Sequence, residues 1–280
     1  MKPLQESKKI LVCISNQPKL DSHIALYLIV TGLSREMNKD VQIGSVNKIP
    51  QKYMQALPID NTKIINKLPP KKFVLEFKNQ KDKVKNIQWN QEGDSVNFYI
   101  SMDKGKFDGS TFNLRTMGSD YETIILIGVS NVSELGSIYN ENKDVFKEAN
   151  IITVGGKPAI EGSTVTPEID EKHSSVAEDT YIFMQKYGLK IDANAASMLL
   201  AGIFDSTKNF KKNIIDPKTY ITCAELIRRG GSNEQAQALI VRTQQETSNQ
   251  DTRQQEGQPQ AKDEIISKGS QVAKNINTEN

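Results

Sequence analysis

The sequence predicts an α/β domain in which a parallel sheet is flanked by helices, with an inserted antiparallel β-meander and a helical C-terminal part. Three observations carry that expectation. The runs KKILVCIS, TIILIGV at 123–129 and NIITVGG at 150–156 are apolar and β-branched without polar alternation, the character of strands buried on both faces. Helical periodicity follows the first run and dominates from 173 to about 242. Between them, residues 70–104 alternate apolar and polar side chains, the period of an antiparallel sheet with one face in water.

Taken in chain order, residues 1–9 are polar and read as a flexible lead. KKILVCIS is the first strand. Ile24, Leu28, Ile29 and Leu33 then recur at helical spacing over 22–37, with Asp21 or Ser22 placed as the N-cap. VQIGSV supplies a second strand, so the start is a βαβ unit whose loop after the first strand opens at the carboxyl edge of the sheet, where α/β ligands bind. Residues 48–111 carry 12 Lys against seven acidic residues, and three alternating segments around Phe73–Phe77, Val84–Trp89 and Val96–Met102 read as the meander. After the strands at 123–129 and 150–156, four helical stretches follow, with Asp192 and Asp216 as caps and Gly188 as a terminator. These elements make one domain over 10–242. Residues 243–280 hold eight Gln, six apolar residues and no aromatic, too little to offset the entropy of ordering, and read as a disordered tail.

Composition narrows the function. With 36 Lys+Arg, 34 Asp+Glu and a net charge of +2, the chain is not a generally basic nucleic-acid-coating protein. Cys13 and Cys223 sit in apolar stretches far apart, as buried thiols of a reducing compartment do. No run approaches the ~18 apolar residues of a membrane span, so the expectation is a cytoplasmic protein without a membrane partner.

Four local strings resemble the motifs of the DHH family of phosphoesterases, over about residues 10–230. SNQPKLDSHIA keeps Pro18 and Asp21 of the family's first motif but has Ser15, Lys19 and Ala25 where the family has His, Asp and Ser. ILIGVSNVSELG places Gly128 at the family's second-motif Asp. IITVGGKP places Val154, Gly155 and Gly156 at the naming Asp-His-His. GIFDSTKNF keeps Gly202, Ile203, Thr207 and Phe210 but has Ser206 at the last Asp. The resemblance implies a Rossmann-like N-terminal domain and, in active relatives, hydrolysis of a phosphoester by water held between two divalent metals. Of the Asp and His positions in these motifs only Asp21 survives, and one carboxylate does not hold two Mn²⁺ or Mg²⁺ ions. The glycine-rich second domain of the family has no counterpart here.

The leading expectation is therefore a catalytically inactive DHH-like protein, without cofactor or metal, that binds a nucleotide or short single-stranded nucleic acid or serves in assembly. Lys19, Lys157, Gly155, Gly156 and Ser206 are its candidate ligand contacts. The alternative is a Mn²⁺- or Mg²⁺-dependent phosphoesterase with a rearranged site drawn from Asp21, His23, Asp205 and His173. A third reading is a structural protein whose tail contacts a protein partner. Each candidate has a plainer role beside it: an N-cap for Asp21, a capping segment for His173 with Ser174, Ser175 and Glu178, and a strand-to-loop turn for Gly155-Gly156. Phe73, Trp89, Phe98 and Tyr99 are either stacking faces for bases or, as the favoured reading, packing residues of the meander.

Overall fold

The computed structural model describes residues 4–255 apart from 71, 78–83, 106, 108, 118, 163–164, 168–173 and 212–214. The first strand, β1 (Lys9–Ile14), lies in the middle of a six-stranded sheet with β2 (Asp40–Gly44), β3 (Ile64–Ile65), β8 (Thr123–Ile127), β9 (Asn150–Val154) and β10 (Val165–Pro167). The spatial order is β10-β9-β8-β1-β2-β3, and every neighbouring pair is parallel. The apolar runs exist because β1 is covered on both faces. Ile10, Val12 and Ile14 enter one core with α1 (Leu20–Arg35), α5 (Val176–Lys186) and α6 (Ala193–Thr207), while Leu11 and Cys13 enter a second core with α3 (Gly136–Asn140) and α4 (Lys143–Glu148). Alternate residues of one strand thus feed two layers, which is why every residue from Ile10 to Ile14 is apolar.

The helices follow their start and stop residues. The Asp192 side chain accepts from Ala195 N–H at the head of α6, and Asp216 accepts from Lys218 N–H at the head of α7 (Pro217–Arg228). Ser175 and Glu178 form a reciprocal capping box on α5. Both cysteines are buried and free. Burial drives the Cys13 thiol far above its ordinary range and pushes Cys223 up to about 12. Among the described residues no helix is long and apolar enough to cross a membrane.

Three expectations are corrected. The lead is packed: Leu4 is buried in the first core, and Ser7, also buried, shares a 2.7 Å hydrogen bond with Thr123. The meander is instead a nested pair of two-stranded ribbons. β4 (Lys72–Phe77) pairs with β7 (Phe112–Met117), and β5 (Val84–Glu92) with β6 (Ser95–Met102); β7 falls after residue 104, where the expected insert ends, and pairing across the whole insert is non-local. A short helix, α2 (Gln51–Ala56), occupies part of the Lys-rich stretch. The last helix, α8 (Asn233–Gln255), continues past 242, while the compact unit ends at Thr243, one residue from the expected boundary. Thr243 is still buried, its hydroxyl back-bonded to the Leu239 and Ile240 carbonyls. The rest of the tail, 256–280, lies outside the described residues.

Candidate functional site

The carboxyl ends of β9, β8 and β1 are neighbours in the sheet, so the loops after them, at 155–157, 128–131 and 15–19, meet at one edge. This is where a parallel sheet places its ligands. The heads of α1 and α5 and the end of α6 close over the same edge.

Asp21 is the centre of that closure. It is not the N-cap; Lys19 holds that position without a side-chain cap bond, and Asp21 sits buried in the first turn of α1. Its Oδ1 accepts from its neighbour's backbone, Ser22 N–H, at 2.7 Å. Its Oδ2 accepts from Val176 N–H at 3.1 Å and from the Ser206 hydroxyl at 2.8 Å. One carboxylate therefore ties the start of α1 to the start of α5 and the end of α6. Ser206, at the position where the resemblance implies a metal-binding Asp, donates to Asp21 and so has the polarity a cation would have supplied. Asp205, one residue before it, is half-buried. Asp205 and Asp21 both act on Tyr53 of α2, whose phenol is raised first by burial and then by those two negative charges.

The glycines at the other motif positions are packed. A Cβ on Gly128, which has φ +63°, would stand 2.9 Å from Ser22 Oγ; on Gly155, at φ +76°, it would stand 2.6 Å from Val176 Cγ2. A Cβ on Gly156 would fall 2.0 Å from the Val129 carbonyl oxygen, inside any permitted contact. The space that acidic and imidazole side chains would fill holds Ser22, Val176 and main chain. Among the described residues no three His, Cys, Asp or Glu side chains are placed to hold one metal ion, and Asp21's distal oxygen already faces two donors. These residues do not fit a two-metal centre.

Motif residues that persist have packing roles. Gly202 lets α6 approach α1 and α5, since its Cβ would lie 2.7 Å from Ala177 Cβ and 3.3 Å from Asp21 Cα. After α6, Lys208, Asn209 and Phe210 all adopt left-handed backbone, an uncommon run for residues other than glycine. The Thr207 hydroxyl holds that run by accepting from Phe210 N–H at 3.2 Å, and Phe210 stacks on Tyr220.

His23 faces neither solvent nor the glycine loops. It is fully buried, stacked on Tyr53 with ring centroids 3.8 Å apart, and its Nδ1 lies 2.8 Å from the Lys19 carbonyl. The carbonyl makes Nδ1 the protonated nitrogen, and Nε2 is left buried without a hydrogen-bond partner. Burial lowers its pKa from 6.5 to about 4, against the Lys19 hydrogen bond and the Asp21 charge, with Lys52 lowering it further. The neutral ring is therefore the native form. The unfolded chain takes up the proton first as pH falls, so His23's contribution is whole above pH 6.5 and is lost down to about 4. The expected loss is about 3 kcal/mol across that window. Urea midpoints against pH check it: His23→Phe, which keeps a ring on Tyr53 and takes no proton, should lose that much less, and parallel profiles would refute the assignment.

Of the remaining candidates, Lys19 and Lys157 are exposed at the mouth of the edge. His173 lies outside the described residues, while Ser175 and Glu178 beside it form the capping box expected of them. Sequence reasoning missed Val176 and Tyr53: the first contributes a backbone N–H, which no side-chain motif reveals, and the second stands in the interrupting Lys-rich stretch.

No protein-family model and no curated protein sequence matches the chain. A solved structure does: an exopolyphosphatase-related protein from Bacteroides fragilis, with a TM-score of 0.52 at 12% sequence identity. The match covers 84% of this chain and 57% of that one, so this chain spans just over half the length of its structural neighbour. At this identity the likeness shows the fold alone, a parallel α/β sheet flanked by helices.

Proposed function

We propose that this chain is a non-hydrolytic relative of the DHH phosphoesterases that acts by binding a nucleotide or short oligonucleotide phosphate at the carboxyl edge of its sheet. One observation carries the reading: the sole surviving motif carboxylate, Asp21, has its distal oxygen committed to Val176 N–H and Ser206 Oγ–H. A carboxylate used in this way joins helices and is not turned towards a metal-bound water. Lys19 and Lys157 give the mouth a positive sign, which attracts phosphate without supplying a nucleophile. Both side chains are exposed.

The experiment is hydrolysis of a short oligoribonucleotide and of 3′-phosphoadenosine phosphate with added Mn²⁺, with bound metal measured on the same sample and binding of the same two ligands followed by calorimetry. The expected result is no turnover, no stoichiometric metal, and binding that weakens about tenfold in Lys19→Glu with Lys157→Glu, two lost phosphate contacts at roughly 0.7 kcal/mol each. Turnover lost in Asp21→Ala would instead support a metal-dependent phosphoesterase built around Asp21 and Asp205. Absence of binding by either nucleotide would remove the ligand class proposed here.

A further inference from the structure

One flank of α1 borders a cavity that the sheet-edge loops do not line. Leu26, Val30 and Ser34 form one row along that helix, and Tyr27, Thr31 and Arg35 form the next; side chains four residues apart lie one above another on a helix face. The facing wall comes from Ile43 of β2 and from the segment leading into β3, chiefly Ile59, Asp60 and Lys63. The enclosed space is about 130 Å³, slightly less than the ~150 Å³ in which an apolar cavity takes up benzene. At about 1.5 Å of rise per residue, Arg35 lies roughly 20 Å along the helix axis from Asp21.

The lining changes character along the helix. Leu26, Val30, Ile43 and Ile59 are buried and apolar and make the floor. Ser34, Arg35 and Lys63 gather towards the C-terminal end of α1, where Lys63 Nζ donates to Ser34 Oγ at 2.9 Å. Asp60 on the same wall is engaged locally: its Oδ1 accepts from the Thr62 hydroxyl at 2.7 Å and from Thr62 N–H at 2.9 Å, contacts that lower its pKa. The exposed Arg35 guanidinium has no hydrogen-bond or ion-pair partner among the described residues. Two cations outweigh Asp60 together with the carbonyl end of α1, which carries about half a negative charge. We propose that this cavity binds a small monocarboxylate, with an apolar body of about four to six carbons on the floor and its carboxylate on Arg35 and Lys63. A planar guanidinium with uncommitted donors matches both oxygens of a carboxylate. Inorganic phosphate is excluded by the floor, which offers its remaining oxygens no donor in exchange for water. This cavity is independent of the sheet edge, so its fate does not depend on whether the cleft binds phosphate.

Titration of the full chain with pentanoate and with benzoate, followed by ligand-observed NMR, tests the inference. The expected result is saturable binding of at least one of them with a Kd of about 0.1–1 mM, in the range open to ligands of this size. 1-Pentanol, which keeps the apolar body and lacks the charge, should bind at least about tenfold more weakly than pentanoate. Arg35→Gln should weaken carboxylate binding about tenfold, and its melting temperature should stay within about 2 °C of wild type because the side chain is exposed and unpaired. Thr31→Phe, which adds a ring to the cavity wall from a half-buried position, should abolish binding while keeping the wild-type circular dichroism. Absence of binding by both carboxylates at about 10 mM, an order of magnitude above the weakest expected Kd, would overturn the proposal. So would pentanol binding as tightly as pentanoate, undiminished affinity in Arg35→Gln, or displacement of pentanoate by inorganic phosphate.

Discussion

Gly156→Ala is expected to destabilise the domain by at least about 3 kcal/mol, at the upper end of what overpacking costs. The added carbon would fall 2.0 Å from the Val129 carbonyl oxygen, and that partner is backbone in the loop after β8, so relief requires two loops at the sheet edge to separate. Gly109→Ala, with nothing within 4 Å of the new carbon, serves as the control and should change stability by less than about 0.5 kcal/mol. Urea denaturation of both variants makes the comparison. The result bears on the site as well as on stability. The family pattern would place imidazoles at Gly155 and Gly156, and if alanine already strains the edge, restoring two histidines costs the fold before it builds a metal site. A Gly156→Ala protein with the wild-type midpoint would mean that the loops part freely, and would reopen the edge as a cavity able to accept larger groups.

Asp21→Ala should cost about 3–5 kcal/mol, because it strips a buried acceptor from four donors on three segments and leaves Val176 N–H and the Ser206 hydroxyl without it. For a domain of this size that corresponds to a fall in melting temperature of roughly 10 °C. Asp21→Asn, which keeps one acceptor oxygen and turns the other position into a donor, should cost about 1–3 kcal/mol. Ser206→Ala, which removes one of two donors to Oδ2, should cost about 1 kcal/mol. The graded series separates a structural clamp from a metal ligand. A ligand carboxylate is an electrostatic burden when its metal is stripped away, so its removal would leave a metal-free sample's melting point unchanged or raised. Thermal denaturation in chelator reads the difference directly.

The alternation of Ile10, Val12 and Ile14 against Leu11 and Cys13, and the caps at Asp192, Asp216 and Ser175, were legible from residue order because each is local: a burial pattern of period two, or an oxygen three residues or fewer from the N–H it serves. The strings GIFDSTKNF and SNQPKLDSHIA, singled out by resemblance, likewise pointed to the two segments that meet at Asp21, and the similar solved structure shares the fold.

Three features were not legible, and each for a stated cause. The pairing of β4 with β7 spans the whole insert, and an alternating segment specifies a face without specifying its partner. The exposure of Trp89, Phe98 and Phe73 has the same origin, since a row of aromatics reads alike whether a core or only water lies opposite. Asp21's role depends on Val176 and Ser206, 155 and 185 residues away along the chain. Period, caps and composition act over a few residues and are written in the chain; the sheet partner, the covered face and the acceptor of a distant hydroxyl arise when the chain closes on itself. Residue order therefore established an α/β chain and pointed to Asp21. Folding then set that carboxylate between three helices, where burial and hydrogen bonding make it a clamp.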